Sequence, residues 1–177
     1  MNESTRSFRF SSQRSGKGGI FVAWLMAIVL FGACNVVAGP AFAADDPLTI
    51  KTVKRAYDDV RFDLQNAIIN QGLKVDLNGH VGDMLKRTGA DIGAKGDVFT
   101  KAEYFTFCSS QLTRAMVEAD PSNLGLCPYT MFVYQGVDSE EVSVGYKSMI
   151  MRGNEASQKA LGEINALMQK ILDEVVE

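Results

Sequence analysis

Apolar and polar positions alternate in two rhythms along residues 48–177, and together these rhythms predict five strands and four helices. Strands are predicted where the alternation has a period of two, at 48–56, 73–77, 102–107, 129–135 and 141–147. Helices are predicted where apolar residues recur every three or four positions. The first is capped at Asp58 or Asp59, the second follows a turn at Asn78-Gly79, the third is capped at Ser109 or Ser110, and the last is capped at Asn154. The order is β-α-β-α-β-α-β-β-α, in which the last two strands form a hairpin. This order favours the α+β class, with a single antiparallel-rich sheet and helices packed on one face.

The first 43 residues have a different pattern, which is typical of a secretion signal. Arg6, Arg9, Arg14 and Lys17 precede an apolar run at 20–31, and Ala41-Phe42-Ala43 supplies the small residues that signal peptidase requires. We therefore predict a signal peptide at 1–43, export by the general secretory route to the periplasm, and a single domain at 44–177.

Two other fates of this segment remain open. Residues 18–44 carry no charge and are long enough to span a bilayer, so the segment could stay as a membrane anchor facing the periplasm. Phe31-Gly32-Ala33-Cys34 is a loose lipobox, which would make Cys34 a lipidation site. In each case the domain lies outside the cytoplasm, because the basic end stays on the cytoplasmic side.

The net charge of residues 44–177 limits the classes of partner that they can bind. The signal segment holds four of the 18 basic and one of the 21 acidic residues, so residues 44–177 carry 14 basic and 20 acidic side chains, a net charge of −6. Nucleic-acid binding needs clustered Lys and Arg to neutralise phosphates, and anionic lipid attracts the same residues. We therefore expect neither nucleic acid as a partner nor membrane association after cleavage, unless Cys34 is lipidated.

Two cysteines, Cys108 and Cys127, remain after cleavage, and in an oxidising compartment a disulfide between them is reasonable. Cys108 ends one predicted strand and Cys127 precedes the next. If these strands are antiparallel neighbours, the cysteines lie at the same edge of the sheet and can meet; if parallel, they lie at opposite ends. Their spacing is unlike the C-x-x-C motif of redox-active pairs, which favours a structural role over a redox or metal-binding one.

His80 is the single histidine of the chain, and it excludes schemes that need two imidazoles. Met84 follows four residues later and would share a helix face with it. A metal or haem site using His80 and Met84 is therefore a minor hypothesis beside a surface or capping role for His80. We expect no cofactor on the main interpretation.

The segment from Phe105 to Tyr134 (FTFCSSQLTRAMVEADPSNLGLCPYTMFVY) resembles the signature of the "domain of unknown function 302" family. A strand there ends in Cys, a helix and an acidic-Pro turn follow, and a Leu-Cys-Pro step leads into an apolar strand. The resemblance covers nearly all of residues 44–177, and the predicted export signal would mark this chain as an exported branch of that family. The resemblance implies a TBP-like α+β fold and a tendency to form homodimers. It implies no reaction, because the family has no established one.

The main functional interpretation is an exported, non-catalytic module that binds a small ligand or an envelope protein. Its pocket is predicted between the sheet and the helices, near Tyr104, Cys108, Cys127 and Tyr129. Support comes from the absence of a recognisable catalytic motif, so an enzyme is the less favoured class. The alternative is a thiol-redox or metal- or haem-linked protein that uses Cys108 and Cys127 or His80.

Overall fold

The computed structural model describes residues 47–177, which form a five-stranded antiparallel sheet with helices on one face. The predicted signal segment and Cys34 lie outside the described residues. Within residues 47–177, no helix is long and apolar enough to span a membrane.

The elements follow the predicted order, with two short 3₁₀ segments added at Ala90–Ile92 and Pro121–Leu126. The strands are β1 (Leu48–Val53), β2 (Val75–Gly79), β3 (Phe99–Phe107), β4 (Tyr129–Gly136) and β5 (Val142–Lys147). The helices are α1 (Tyr57–Asn70), α2 (Val81–Thr88), α3 (Ser110–Ala119) and α4 (Glu155–Val176). The strands lie side by side as β1-β5-β4-β3-β2, and every neighbouring pair is antiparallel.

The core lies between one face of the sheet and helices α1, α3 and α4. Inward positions of the strands alternate with outward ones, and the apolar inward residues Phe105, Met131 and Val144 are fully buried. Helix α4 contributes the largest buried stripe, at Ala160, Leu161, Ile164, Met168, Ile171, Leu172 and Val175. The predicted amphipathic pattern of this helix is therefore used to cover the sheet.

Several helix ends follow from local sequence. The Ser109 side chain accepts a hydrogen bond from the Leu112 amide, and the Asn154 side chain accepts one from the Ser157 amide, as expected for N-caps. Gly72 follows α1 with a positive φ of 74°, a conformation that glycine adopts without steric cost. The cap predicted for α1 at Asp58 or Asp59 is wrong, because the helix begins at Tyr57 and both acids lie in its first turn.

The ends of β1 and β2 differ from the predicted ones, because pairing with neighbouring strands outweighs the local propensity of the sequence. Asn78-Gly79 was expected to be a turn, but β2 continues through it, since Asn78 and Gly79 pair with Phe105 and Tyr104 of β3. The predicted first strand also runs too far. It ends at Val53 because its partner β5 begins at Val142, the residue opposite. Neighbouring strands, rather than the propensity of single residues, therefore set these boundaries.

Candidate functional site

The face of the sheet opposite helices α1, α3 and α4 is partly open to solvent, although Ala102, Thr106 and Gly145 on it are buried. Strand alternation and register place on it the residues that we call the open face: Leu48, Ile50, Thr52, Leu77, Gly79, Ala102, Tyr104, Thr106, Thr130, Phe132, Tyr134, Ser143, Gly145 and Lys147. Leu48, Ile50 and Leu77 are each about half exposed, with 42%, 43% and 51% of their surface accessible. Large apolar side chains thus face water on strands at both edges.

Aromatic rings occupy the middle of the open face. Tyr104 of β3 and Phe132 of β4 are directly opposite one another in the antiparallel ladder. A Cβ atom on Gly79 would lie 2.2 Å from Cζ of Tyr104, and one on Gly145 would lie 3.0 Å from Cζ of Phe132. The two rings therefore lie over neighbouring glycines, in opposite directions. Tyr134 continues the aromatic row, with its ring 6.3 Å from that of Phe132 and inclined by 22°.

Charged side chains of the strands are directed mainly to the other face. Lys51 Nζ lies 2.6 Å from Asp173 Oδ1 of α4, and Lys101 Nζ lies 2.7 Å from Asp58 Oδ1 of α1. The hydrogen bond from Lys51 lowers the pKa of Asp173 below its usual value. Lys147 is the one charged residue among the fourteen positions of the open face. An acidic chain therefore presents a nearly uncharged surface there.

The two cysteines meet at one end of the sheet. β3 and β4 are antiparallel neighbours, which is the arrangement that brings Cys108 and Cys127 to the same edge, and their Sγ atoms are at disulfide distance, 2.17 Å, with Cα atoms 6.7 Å apart. Cys108 lines a wide cleft of about 660 Å³ beside α3, and Cys127 lines a smaller groove of about 210 Å³ beside the segment after β5. The disulfide thus lies between two depressions.

Of the four residues predicted to line one pocket, the two cysteines meet in the disulfide, whereas the two tyrosines lie on opposite faces of the sheet. Tyr104 lies on the open face, whereas Tyr129 is fully buried on the helix side, where its hydroxyl is 2.8 Å from Oγ1 of Thr113. Burial raises the pKa of Tyr129. The separation follows from alternation, because Tyr104 and Tyr129 occupy positions of opposite parity in the β3–β4 ladder. Cys108 and Cys127 line two different cavities, neither of which includes a tyrosine.

His80 precedes α2 and faces a carboxylate. Its Nδ1 lies 3.6 Å from Oε2 of Glu103, which also accepts hydrogen bonds from Asn78 Nδ2 at 2.6 Å and from Arg61 Nε at 3.1 Å. Met84 is partly exposed, and its Sδ lies 4.0 Å from Oγ1 of Thr88. Within residues 47–177, no three His, Cys, Asp or Glu side chains are grouped so as to hold a metal ion.

The buried ring of Tyr57 lies next to this polar cluster. Burial, followed by the negative charge of Glu103, raises the pKa of the Tyr57 hydroxyl strongly. That hydroxyl has no hydrogen-bond partner of normal geometry. Tyr57 therefore remains neutral, and the cluster around Glu103 is held by cations and amides rather than by an acid-base pair.

Most of the open face could not be recognised from the sequence alone. The pattern predicts Phe132, Tyr134 and Ile50 only as strand residues, and it gives Gly145 no special role. One signal was available: β4 reads YTMFVYQG, so apolar residues occupy both of its faces. A strand of this kind either is covered on both sides or presents an apolar surface for binding. Sequence alone did not distinguish the two.

Comparison with known proteins agrees with this fold. Residues 49–175 match the family described as "Domain of unknown function DUF302". A solved structure, titled "Crystal structure of uncharacterized conserved protein DUF302 from Bacillus stearothermophilus", is similar with a TM-score of 0.61 at 14% sequence identity, covering 73% of this chain and 98% of the other. No curated protein matches the chain. At 14% identity, the structural similarity is evidence for the fold alone. The family match spans most of the chain, and the chain therefore belongs to the DUF302 family.

Proposed function

We propose that this protein is an exported, non-catalytic binding module, and that the open face is its docking surface for an apolar, uncharged patch on a partner protein. The observation that carries the proposal is the combination of Tyr104, Phe132 and Tyr134 with a single charge on an uncovered sheet face. Aromatic side chains on an uncharged surface are typical of the centres of protein interfaces.

The shape of the open face favours a protein over a small molecule. Small-molecule sites are concave and enclose most of their ligand, whereas this surface is a sheet. Five strands at a spacing of about 4.8 Å and about six residues of 3.3 Å each give a footprint of roughly 480 Å². A standard interface buries about 800 Å² on each partner, so the open face supplies somewhat more than half of one. The adjoining strand edges would contribute the remainder.

The charge distribution of the domain also favours a partner protein with an uncharged apolar patch. The domain carries an excess of acidic residues, so an acidic protein is repelled by most of its surface. No Asp or Glu occupies the open face, and Lys51 and Lys101 bond to acids on the helix side. A partner with an uncharged apolar patch therefore approaches this face with little desolvation cost for charged groups. A second copy of the chain meets this description, so a homodimer is one form of the proposed complex.

The proposal is tested by photo-crosslinking in the cell that produces the protein. A photoreactive phenylalanine is placed at Phe132 of the full chain and, as the control, at Phe62 on α1, which is exposed by 60% but lies outside the open face. We expect protein adducts from position 132 and none from position 62. An adduct of twice the chain mass would identify the second copy as the partner. Equal crosslinking at both positions, or none at 132, would refute the docking surface.

A charge substitution gives an independent measurement. Phe132→Glu places a carboxylate at the centre of the open face, whereas Phe62→Glu makes the same change at an exposed helix position. We expect Phe132→Glu to remove at least tenfold of the affinity for the crosslinked partner, because burying an unpaired charge costs more than 1.4 kcal/mol. Phe62→Glu should leave the affinity unchanged.

Export is a separate part of the proposal, supported by the pattern of residues 1–43. The intact mass of the protein from the envelope fraction distinguishes the three fates of this segment. A chain beginning at Ala44 supports cleavage and a periplasmic protein, and a lipidated chain beginning at Cys34 supports a membrane anchor. A full-length chain in the membrane fraction supports a retained anchor. Recovery only from the cytoplasm would overturn export.

A further inference from the structure

The disulfide end of the sheet lies apart from the aromatic row of the open face and has its own chemistry. Cys108 and Cys127 are both partly exposed, and each lines a different cavity. A disulfide that only braces a core is normally enclosed on both sides. Here a reagent could approach from the cleft beside α3 or from the groove beside the segment after β5.

We propose that the Cys108–Cys127 disulfide is a thiol–disulfide exchange site, in which an incoming thiolate attacks Cys127 and Cys108 leaves. In this step the external sulfur forms a bond to Sγ of Cys127, the Sγ–Sγ bond breaks, and its electron pair remains on Cys108 as a thiolate. The product is a mixed disulfide on Cys127. A second thiolate that attacks the external sulfur releases Cys127, so the two steps together reduce the protein disulfide and oxidise two external thiols to a disulfide.

The direction of the step follows from what surrounds Cys108. Exchange is faster when the departing sulfur is the better-stabilised thiolate. Cys108 immediately precedes Ser109, the N-cap of α3, and the positive end of a helix dipole favours a thiolate there. Val75 pairs with Phe107 in the β2–β3 ladder, so Lys74 lies beside Cys108, and both residues line the same cleft.

The other charges of this cleft do not reverse the argument. Arg114 and Glu118 both line it, and they pair with each other at 2.7 Å. Lys74 and Asp76 are the remaining charged residues of the lining, so the lining as a whole carries no net charge. The positive potential at Cys108 therefore comes from the helix N-terminus and from Lys74, which lies beside it in the β2–β3 ladder.

Cys127 has different surroundings, which suit an incoming thiol on an apolar carrier. Its groove is lined by Leu126, Pro128, Met149 and Ile150, and its one charged lining residue is Lys147. A cationic side chain in the lining of an apolar groove attracts a thiolate to it. The ligand class is thus a thiol borne by a small molecule or by an apolar segment of a protein.

The first experiment uses the unmodified protein, purified in oxidised form from the envelope fraction, with reduced glutathione as the probe. The reaction is run at pH 7 in native buffer, quenched with acid, and mapped by mass spectrometry after alkylation of free thiols. We expect glutathione on Cys127 and the alkyl group on Cys108. Glutathione mainly on Cys108 would overturn the proposed direction, and an adduct that forms only in denaturant would overturn the exchange site itself.

Single-cysteine variants provide the second measurement. Cys127→Ser leaves Cys108 as the free thiol, and Cys108→Ser leaves Cys127. Cys108 should be alkylated by iodoacetamide about threefold faster at pH 7, because a roughly tenfold larger thiolate fraction is partly offset by lower intrinsic nucleophilicity. Adding Lys74→Gln to Cys127→Ser should slow the labelling of Cys108, whereas Lys147→Gln in the same background should not. Equal rates for the two cysteines would refute the proposed asymmetry.

Discussion

Removing the disulfide should lower the stability of the domain by an amount that the loop length sets. Cys108 and Cys127 are 19 residues apart in sequence. In the chain-entropy treatment, closing a loop of about 20 residues restricts the unfolded chain by about 11 cal/mol/K, which is about 3.3 kcal/mol at 25 °C. The loop contains α3, so this restriction falls on residues that must order when the domain folds. For a domain of about 130 residues, the same loss lowers the melting temperature by about 12 °C.

The assay compares the free energy of unfolding in urea of the oxidised protein, the protein reduced with dithiothreitol, and the double variant Cys108→Ala/Cys127→Ala. The reduced protein is the sterically matched reference, because it keeps both sulfur atoms. The double variant tests whether packing adds to the effect, since Cys127 contacts the core. We expect both to lose about 3 kcal/mol with little change in the urea slope at the transition.

Two results would refute this reasoning. A loss below about 1 kcal/mol would mean that the unfolded chain is already compact around this loop, so the bond restricts it little. A loss well above 5 kcal/mol, or a domain that unfolds on reduction, would mean that the bond holds native contacts together. The second result would also contradict the exchange site, because an exchange cycle needs a reduced form that remains folded.

Three further predictions concern single side chains. Gly145→Ala should destabilise the domain by about 2 kcal/mol or more in urea unfolding, because the added Cβ would lie 2.3 Å from the Thr49 carbonyl oxygen. The control Gly96→Ala, whose Cβ meets no atom within 4 Å, should cost less than about 0.5 kcal/mol, and equal costs would contradict the close approach of β1 to β5. The hydrogen bond from the Ser122 side chain is the main cause that lowers the pKa of Asp120, so the carboxylate stabilises the fold above its unfolded pKa of about 3.9 and this contribution is lost as the pH falls through the lower folded pKa. Asp120→Asn should therefore flatten the dependence of stability on pH in that range, and an unchanged dependence would argue against this role of Asp120. Tyr57→Phe should be neutral or stabilising by up to about 1 kcal/mol, because it removes a buried hydroxyl without a hydrogen-bond partner, and a loss above about 1 kcal/mol would show that the hydroxyl is satisfied.

The predicted fold follows from patterns that are local in the sequence. The element order, the β4–β5 hairpin and the Ser109 and Asn154 caps are all confirmed, because each depends on residues close together along the chain. The disulfide was predicted conditionally, since it required β3 and β4 to be antiparallel neighbours. That condition is a property of the sheet, and the β3–β4 ladder fulfils it.

The candidate site was less predictable, because it depends on which face of the sheet the helices cover. Strand β4 has apolar side chains on both faces, so alternation separates Met131 from Phe132 without showing which of them is buried. The faces that the aromatic residues of the predicted pocket occupy depend on the same choice. Tyr104 and Tyr129 belong to paired strands and are both aromatic, yet they lie on opposite sides of the sheet.

The sequence by itself determined the α+β class of residues 47–177, the order of their strands and helices, and their excess of acidic side chains. Periodicity, capping and charge are summed from single residues and near neighbours, so these conclusions need no knowledge of distant contacts. Only the tertiary structure decided that β2 continues through Asn78-Gly79, that Lys51 and Lys101 pair with helix acids, and that the aromatic face is left uncovered. Each of these depends on strands and helices far apart in the chain, and the free energy of packing them outweighs local preference.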